Sequence, residues 1–135
     1  MYNLTITQKS TYLHATVTGS NTEEDVSDYL EEIRRECIVR GYSRILIEER
    51  LEGLRLGTVE VFRLASEGAD HSLGQFQTIA YVDVNAKGDL MRFAETVAVN
   101  RGLPVRVFSS VSDAEEWLLS KAHGDIRQHH FGDHA

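Results

Sequence analysis

Three carboxylates and two guanidinium groups crowd one short stretch of this chain. Glu48, Glu49 and Glu52 alternate with Arg50 and Arg55 just after an apolar run. Neighbouring carboxylates can divide general acid and general base roles when their surroundings push their pKa values apart. The same mix also describes a solvated loop whose charges neutralise one another. Thr58 follows closely and is the one hydroxyl between this stretch and the next helical pattern. A phosphate there would sit favourably at a helix N-terminus, but a threonine at that place more simply caps the helix by accepting a backbone N–H bond. Glu48, Glu49, Arg50, Arg55 and Thr58 therefore form the candidate ligand or partner loop.

Other reactive residue types have weaker arrangements. Asp70, His71 and Ser72 are consecutive, read as part of an exposed loop, and cannot aim at one another as a catalytic triad requires. Four histidines near the C-terminus (His123, His129, His130 and His134) match no structural zinc spacing, so no metal and no cofactor is expected. Cys37 lies on an apolar helical stripe and reads as packed rather than reactive. The glycines at 53 and 57, and at 68 and 74, do not spell a phosphate-binding loop.

The elements that must position these residues follow from period and punctuation. Tyr2, Leu4 and Ile6 alternate with polar residues, as do Leu13, Ala15 and Val17, which reads as an antiparallel hairpin. His14, out of phase with Leu13 and Ala15, faces the other side of that sheet. Val26, Leu30, Ile33 and Cys37 recur at helical spacing, begun by Asn21 and Thr22, with Asp25 three residues after Thr22, and ended by Gly41. The run Arg44-Ile-Leu-Ile-Glu48 suits a central strand covered on both faces. A helix is expected over Thr58–Ala65 and a strand over Gln77–Val82. A further helix starts at Asp89, carries Leu90, Phe93, Ala94 and Val97 inward and stops at Gly102. Pro104 opens the last strand, Val105–Phe108. A Ser112-x-x-Glu115 start then leads a helix with Ala114, Trp117 and Leu118 on one side. The periodic pattern ends near Lys121, leaving residues 122–135 as a loose tail.

The order β-β-α-β-α-β-α-β-α implies an α/β domain over residues 1–121. A single mixed sheet opens with a hairpin, and helices pack on it as crossovers between parallel strands. At 135 residues the chain is one domain's worth. No apolar run approaches the roughly 20 residues of a membrane span, and the first residues lack a secretory pattern. A net charge of −7 argues against nucleic acid. One cysteine cannot form an internal disulfide, so a cytoplasmic setting is expected.

Over residues 2–120 this pattern resembles the STAS domains, the fold of sporulation anti-sigma-factor antagonists, and within them the SpoIIAA-like branch, whose fold is related to the lipid-binding domain of SEC14. The hairpin plus acidic helix, the buried strand Ile45-Leu-Ile-Glu48, and the finish Val105-Arg-Val-Phe108 followed by Asp113-Ala-Glu-Glu-Trp-Leu118 carry the resemblance. It implies a non-enzymatic regulatory or binding module acting through a protein partner or a second copy of itself. Kinship with SEC14 implies, alternatively, a carrier or sensor of a small apolar or lipid-like ligand. The residues keep a third option open, an enzyme using the carboxylate-rich loop after the central strand. Regulatory STAS domains place a phosphorylatable serine in an Asp-Ser-Ser-Gly motif after the central strand. This chain reads Leu54-Arg-Leu-Gly-Thr-Val-Glu60 there, without a serine.

Overall fold

Alternating side chains make Tyr2–Gln8 (β1) and Leu13–Ser20 (β2) an antiparallel hairpin, in register from Tyr2 opposite Gly19 to Gln8 opposite Leu13. The computed structural model describes residues 1–52, 56–84 and 88–130, the last nine of these by backbone alone. The first helix, Glu23–Arg40 (α1), starts as its sequence dictates. The Thr22 hydroxyl accepts the Asp25 N–H at 3.1 Å, and Glu23, Glu24 and Asp25 place negative charge at the positive end of the helix dipole. Gly41 ends it at φ 74°, a left-handed conformation that a side chain would strain. Val26, Tyr29, Ile33 and Cys37 form its buried stripe, while Leu30 is only half-buried at the margin.

The remaining elements are Arg44–Glu52 (β3), Thr58–Ser72 (α2), Thr78–Asp83 (β4), Gly88–Asn100 (α3), Val105–Phe108 (β5) and Val111–His130 (α4). The strands lie in the order β1-β2-β3-β4-β5, and all neighbours after the hairpin are parallel. Parallel neighbours taken in chain order, each joined by a crossover of the same hand, put successive helices on one face. Accordingly α1, α2 and α3 share a face and touch in sequence. The last described helix, α4, covers β3, β4 and β5 from the other side. There Ala114 and Leu118 meet Leu46, Ala80, Val82 and Tyr12. The α/β order and the single mixed sheet match the sequence expectation.

Several local expectations are corrected. The strand β3 does not stop at Glu48 but runs to Glu52, because β2 is long enough to pair with it as far as Ser20 opposite Glu52. Glu48, Glu49, Arg50 and Glu52 are thus strand residues rather than loop residues. The helix α2 extends to Ser72 and takes in Asp70 and His71, which the sequence placed in a loop. Gly57, not Thr58, is the N-cap of α2 and makes no side-chain capping bond. Thr58 is the first helical residue and is exposed. The Glu60 carboxylate folds back over Gly57, where an added Cβ would lie 2.7 Å from its Oε1. The α4 start is capped by Ser110, whose Oγ accepts the Asp113 N–H at 3.2 Å, rather than by Ser112. Its backbone continues past Lys121 to His130. Arg55 lies outside the described residues, as do His134 and the side chains of His123, His129 and His130.

Leu118, fully buried, is the deepest anchor of α4, while Trp117 is half-buried and tilted against Phe108 with ring centroids 5.5 Å apart. Leu118→Ala should lower unfolding free energy by about 2–5 kcal/mol, and Trp117→Ala by roughly 2 kcal/mol, below the range for a fully enclosed tryptophan. Thr58→Ala should stay within about 0.5 kcal/mol of the wild type, since it loses no cap. Urea midpoints at constant m-value check all three; a Thr58→Ala loss above about 1 kcal/mol would restore the capping role.

Candidate functional site

Small residues on the inner faces of two helices leave space above the sheet. Ala65 of α2 and Ala94 and Ala98 of α3 face β3, β4 and β5, where leucines would otherwise close the layer. The result is a cavity of about 170 Å³ between the sheet and α1, α2 and α3. Its walls are mostly apolar, with Leu30 and Ile33 from α1, Leu64 from α2, and Ile47, Ile79 and Val105 from the sheet. Sequence reasoning missed it. The available signal was the recurrence of Ala65, Gly68 and Ala69 in one helix and Ala94 and Ala98 in another.

Polar groups gather where β3 and β4 end, the side on which open α/β sheets commonly bind ligands. Glu49, Tyr81 and Asp83 all border the cavity, together with Asn21 just after β2. Glu49 is buried and accepts a hydrogen bond from the Tyr81 hydroxyl. Its backbone carbonyl takes the Val84 N–H at 3.3 Å, and Asn21 donates its N–H to the Glu52 carbonyl at 3.0 Å. Glu95, also on the cavity wall, accepts the Val107 N–H at 2.7 Å and ties α3 to β5. A hydrogen-bonded floor and an apolar body are the two parts a small-molecule site needs.

Of the described candidate-loop residues Glu49 borders this cavity, and Ser72 of the Asp70-His71-Ser72 run also lines it. Glu48 points through the sheet to the opposite face, as alternation in β3 requires. There His14 Nε2 lies 2.8 Å from Glu48 Oε1, and Arg50 Nε donates to Glu48 Oε2. The two adjacent glutamates are separated by the sheet and cannot share a proton transfer as an acid–base pair. Thr58 is exposed on α2. Asp70, His71 and Ser72 are successive residues of a helix, fanned around its axis by about 100° each. Cys37 is buried, which pushes its thiol up to about 12 and leaves it protonated.

Burial alone would raise the Glu48 pKa, but the hydrogen bonds from His14 and Arg50 outweigh it and hold the carboxyl below its usual range. A depressed carboxyl means that the unfolded chain binds the proton more readily. Its stabilisation is therefore complete above the unfolded value, near 4.3 for glutamate, and disappears as pH falls through the folded one. Glu48→Gln should cost about 2 kcal/mol at neutral pH, with the difference from wild type shrinking as the pH falls below about 4. Urea titrations at several pH values measure it; a difference that does not change with pH would mean that charge is irrelevant to the contact.

No protein-family model matches the chain, and no curated protein matches it. Among solved structures, one that aligns is an uncharacterized protein of the DUF3478 family from Shewanella loihica PV-4, described as having a SpoIIAA-like fold. The match has a TM-score of 0.53 at 17% identity and covers 87% of this chain and 93% of that one. At that identity the likeness speaks to architecture, and the element order described above agrees with it. The chain has a SpoIIAA-like fold.

Proposed function

We propose that this protein is a non-enzymatic binding module, a carrier or sensor that holds a small apolar ligand between its sheet and helices α1 to α3. The apolar cavity of about 170 Å³ is the observation that supports this reading. Protein interiors are ordinarily close-packed. If closed and empty, a void of this size would cost about 4 kcal/mol at roughly 24 cal/mol per Å³. A ligand that fills it recovers much of that loss through dispersion contacts.

The volume also limits the occupant. An engineered apolar cavity of about 150 Å³ stays dry and accepts benzene. The cavity here therefore suits one ring or a short alkyl chain and is too small for a two-chain lipid. Glu49, Tyr81 and Asp83 would orient a polar end of that ligand. No described helix is long and apolar enough to cross a membrane, and we place the protein in the cytoplasm, where its lone thiol stays reduced. A protein partner is the second reading. Val59 and Phe62 share the outer face of α2 and are exposed, with Arg101 stacked on the Phe62 ring at 5.6 Å.

Native mass spectrometry of the protein as isolated, followed by titration with the single-ring neutral probe fluorobenzene observed by fluorine NMR, tests the ligand reading. The wild type should shift and broaden the probe resonance and gain thermal stability with it. Ala94→Leu should fill the space, abolish probe binding and leave unfolding free energy equal or higher. A loss of about 1–3 kcal/mol would be the mark of overpacking and would mean that the space is not there. Probe binding by Ala94→Leu equal to that of the wild type would place the ligand elsewhere.

A further inference from the structure

The cavity borders a second depression, a polar groove on the surface between α1 and α2. Leu30 and Arg34 from α1, and Leu64, Gly68 and Ser72 from α2, line both. The partition between interior space and solvent is therefore a single layer of side chains. Leu30 and Leu64 are half-buried within that layer. Gly68 contributes nothing to it: a Cβ built there meets no atom within 4 Å. Gly68 is an interior helical glycine, which costs about 1 kcal/mol relative to alanine.

Polar bonds hold the seam at its two ends. Near the start of α1, Arg63 reaches across with two bonds to Glu23, at 2.6 and 2.9 Å. Towards the other end, Gln75 donates to the Arg34 carbonyl at 3.0 Å, while the Arg34 guanidinium is held by Glu31. The Arg34 Nη1 also reaches Gln75 Oε1, at 3.5 Å. Between these ends Leu30 and Leu64 stand between the cavity and the groove. At the strand ends, by contrast, an apolar molecule would have to pass Glu49, Tyr81 and Asp83 and disturb their buried hydrogen bonds, which is costly.

We propose that the α1–α2 seam at Gly68 is the portal through which an apolar ligand reaches the cavity, and that the Glu23–Arg63 ion pair is the clasp that restrains its opening. The proposal rests on the ligand reading above and adds the route and the residues that set its rate. Opening requires Leu30 and Leu64 to part, with α1 hinging against α2 about the Arg34–Gln75 end. The clasp is half-exposed, so salt weakens it.

Exchange of fluorobenzene with the full chain, followed by fluorine NMR line shapes over a range of probe concentrations, separates the two claims. Gly68→Leu starts from a Cβ that meets no atom within 4 Å, and it should cover the notch and slow both association and dissociation by about tenfold or more, with the dissociation constant nearly unchanged, as expected of a gate. Glu23→Gln should do the opposite, raising both rates roughly two- to fivefold, the weight of one exposed ion pair, and should remove their acceleration by salt. Rates unchanged in both variants, with the wild type still binding the probe, would overturn the portal and leave the cavity reading intact. If Gly68→Leu abolishes binding altogether, the Glu23→Gln rates decide: faster supports the seam and unchanged refutes it. A wild type that never binds the probe would remove both proposals together.

Discussion

A central strand buried on both faces governs this molecule. Parallel neighbours and a helix layer on each side force β3 to send alternate residues into separate compartments. Ile45, Ile47 and Leu51 join the layer of α1 to α3, and Leu46 joins the layer of α4. The same alternation decides the chemistry. Glu49 is placed at the rim of the cavity with Tyr81, and Glu48 is sent to the other side with His14 and Arg50. Two carboxylates that are neighbours in sequence thus belong to different environments, one at a ligand-sized space and one in a structural ion pair. Charge count in a linear stretch could not separate them. Strand parity does.

The three-helix layer is unevenly filled, and the unevenness has a simple source. Under α1 the large residues Tyr29 and Ile33 meet Leu13, Ala15 and Val17 of the sheet and close the layer. Under α2 and α3 the inward positions include Ala65, Ala69, Ala94 and Ala98, whose side chains stop short of the sheet. The interior space is displaced towards β3, β4 and β5 and away from the hairpin. It lies beside the strand ends, where hydrogen-bonding groups converge. A small change in helix composition, with no change in topology, converts a packed core into one with a vacancy.

Much of the architecture was legible because it depends on local signals that agree with one another. The hairpin followed from alternation, and α1 from a capping threonine, an acidic first turn and a glycine at its end. The errors share a physical cause, which is that tertiary pairing sets where elements stop. The sequence Glu-Glu-Arg-Leu-Glu after Ile47 looks like a loop, yet it remains a strand because β4 pairs with it as far as Glu49 and β2 as far as Glu52. Thr58 looks like a cap, but the chain enters α2 one residue earlier through Gly57, with Glu60 folding back across it. Two serines competed to start α4, and only Ser110 has its hydroxyl at the Asp113 N–H. The cavity was not legible because an alanine on an amphipathic helix is ordinary in itself. Its meaning depends on what lies across from it, and one chain read alone does not say.

The same reasoning limits what the fold conveys about function. Strand order and helix placement follow from apolar period, and many sequences satisfy them. Phosphate-controlled partner switching depends instead on one hydroxyl motif at the start of the helix after the central strand. Here that place is taken by Gly57 and an exposed Thr58. The cavity depends on a different small set, the alanines of α2 and α3 and the polar trio at the strand ends, none of which the topology demands. A chain can therefore keep this architecture without the Asp-Ser-Ser-Gly motif and hold an apolar cavity in the same helix layer. What distinguishes one chain of this architecture from another lies in such few positions, and in this one the alanines of α2 and α3 are what the apolar period alone does not require.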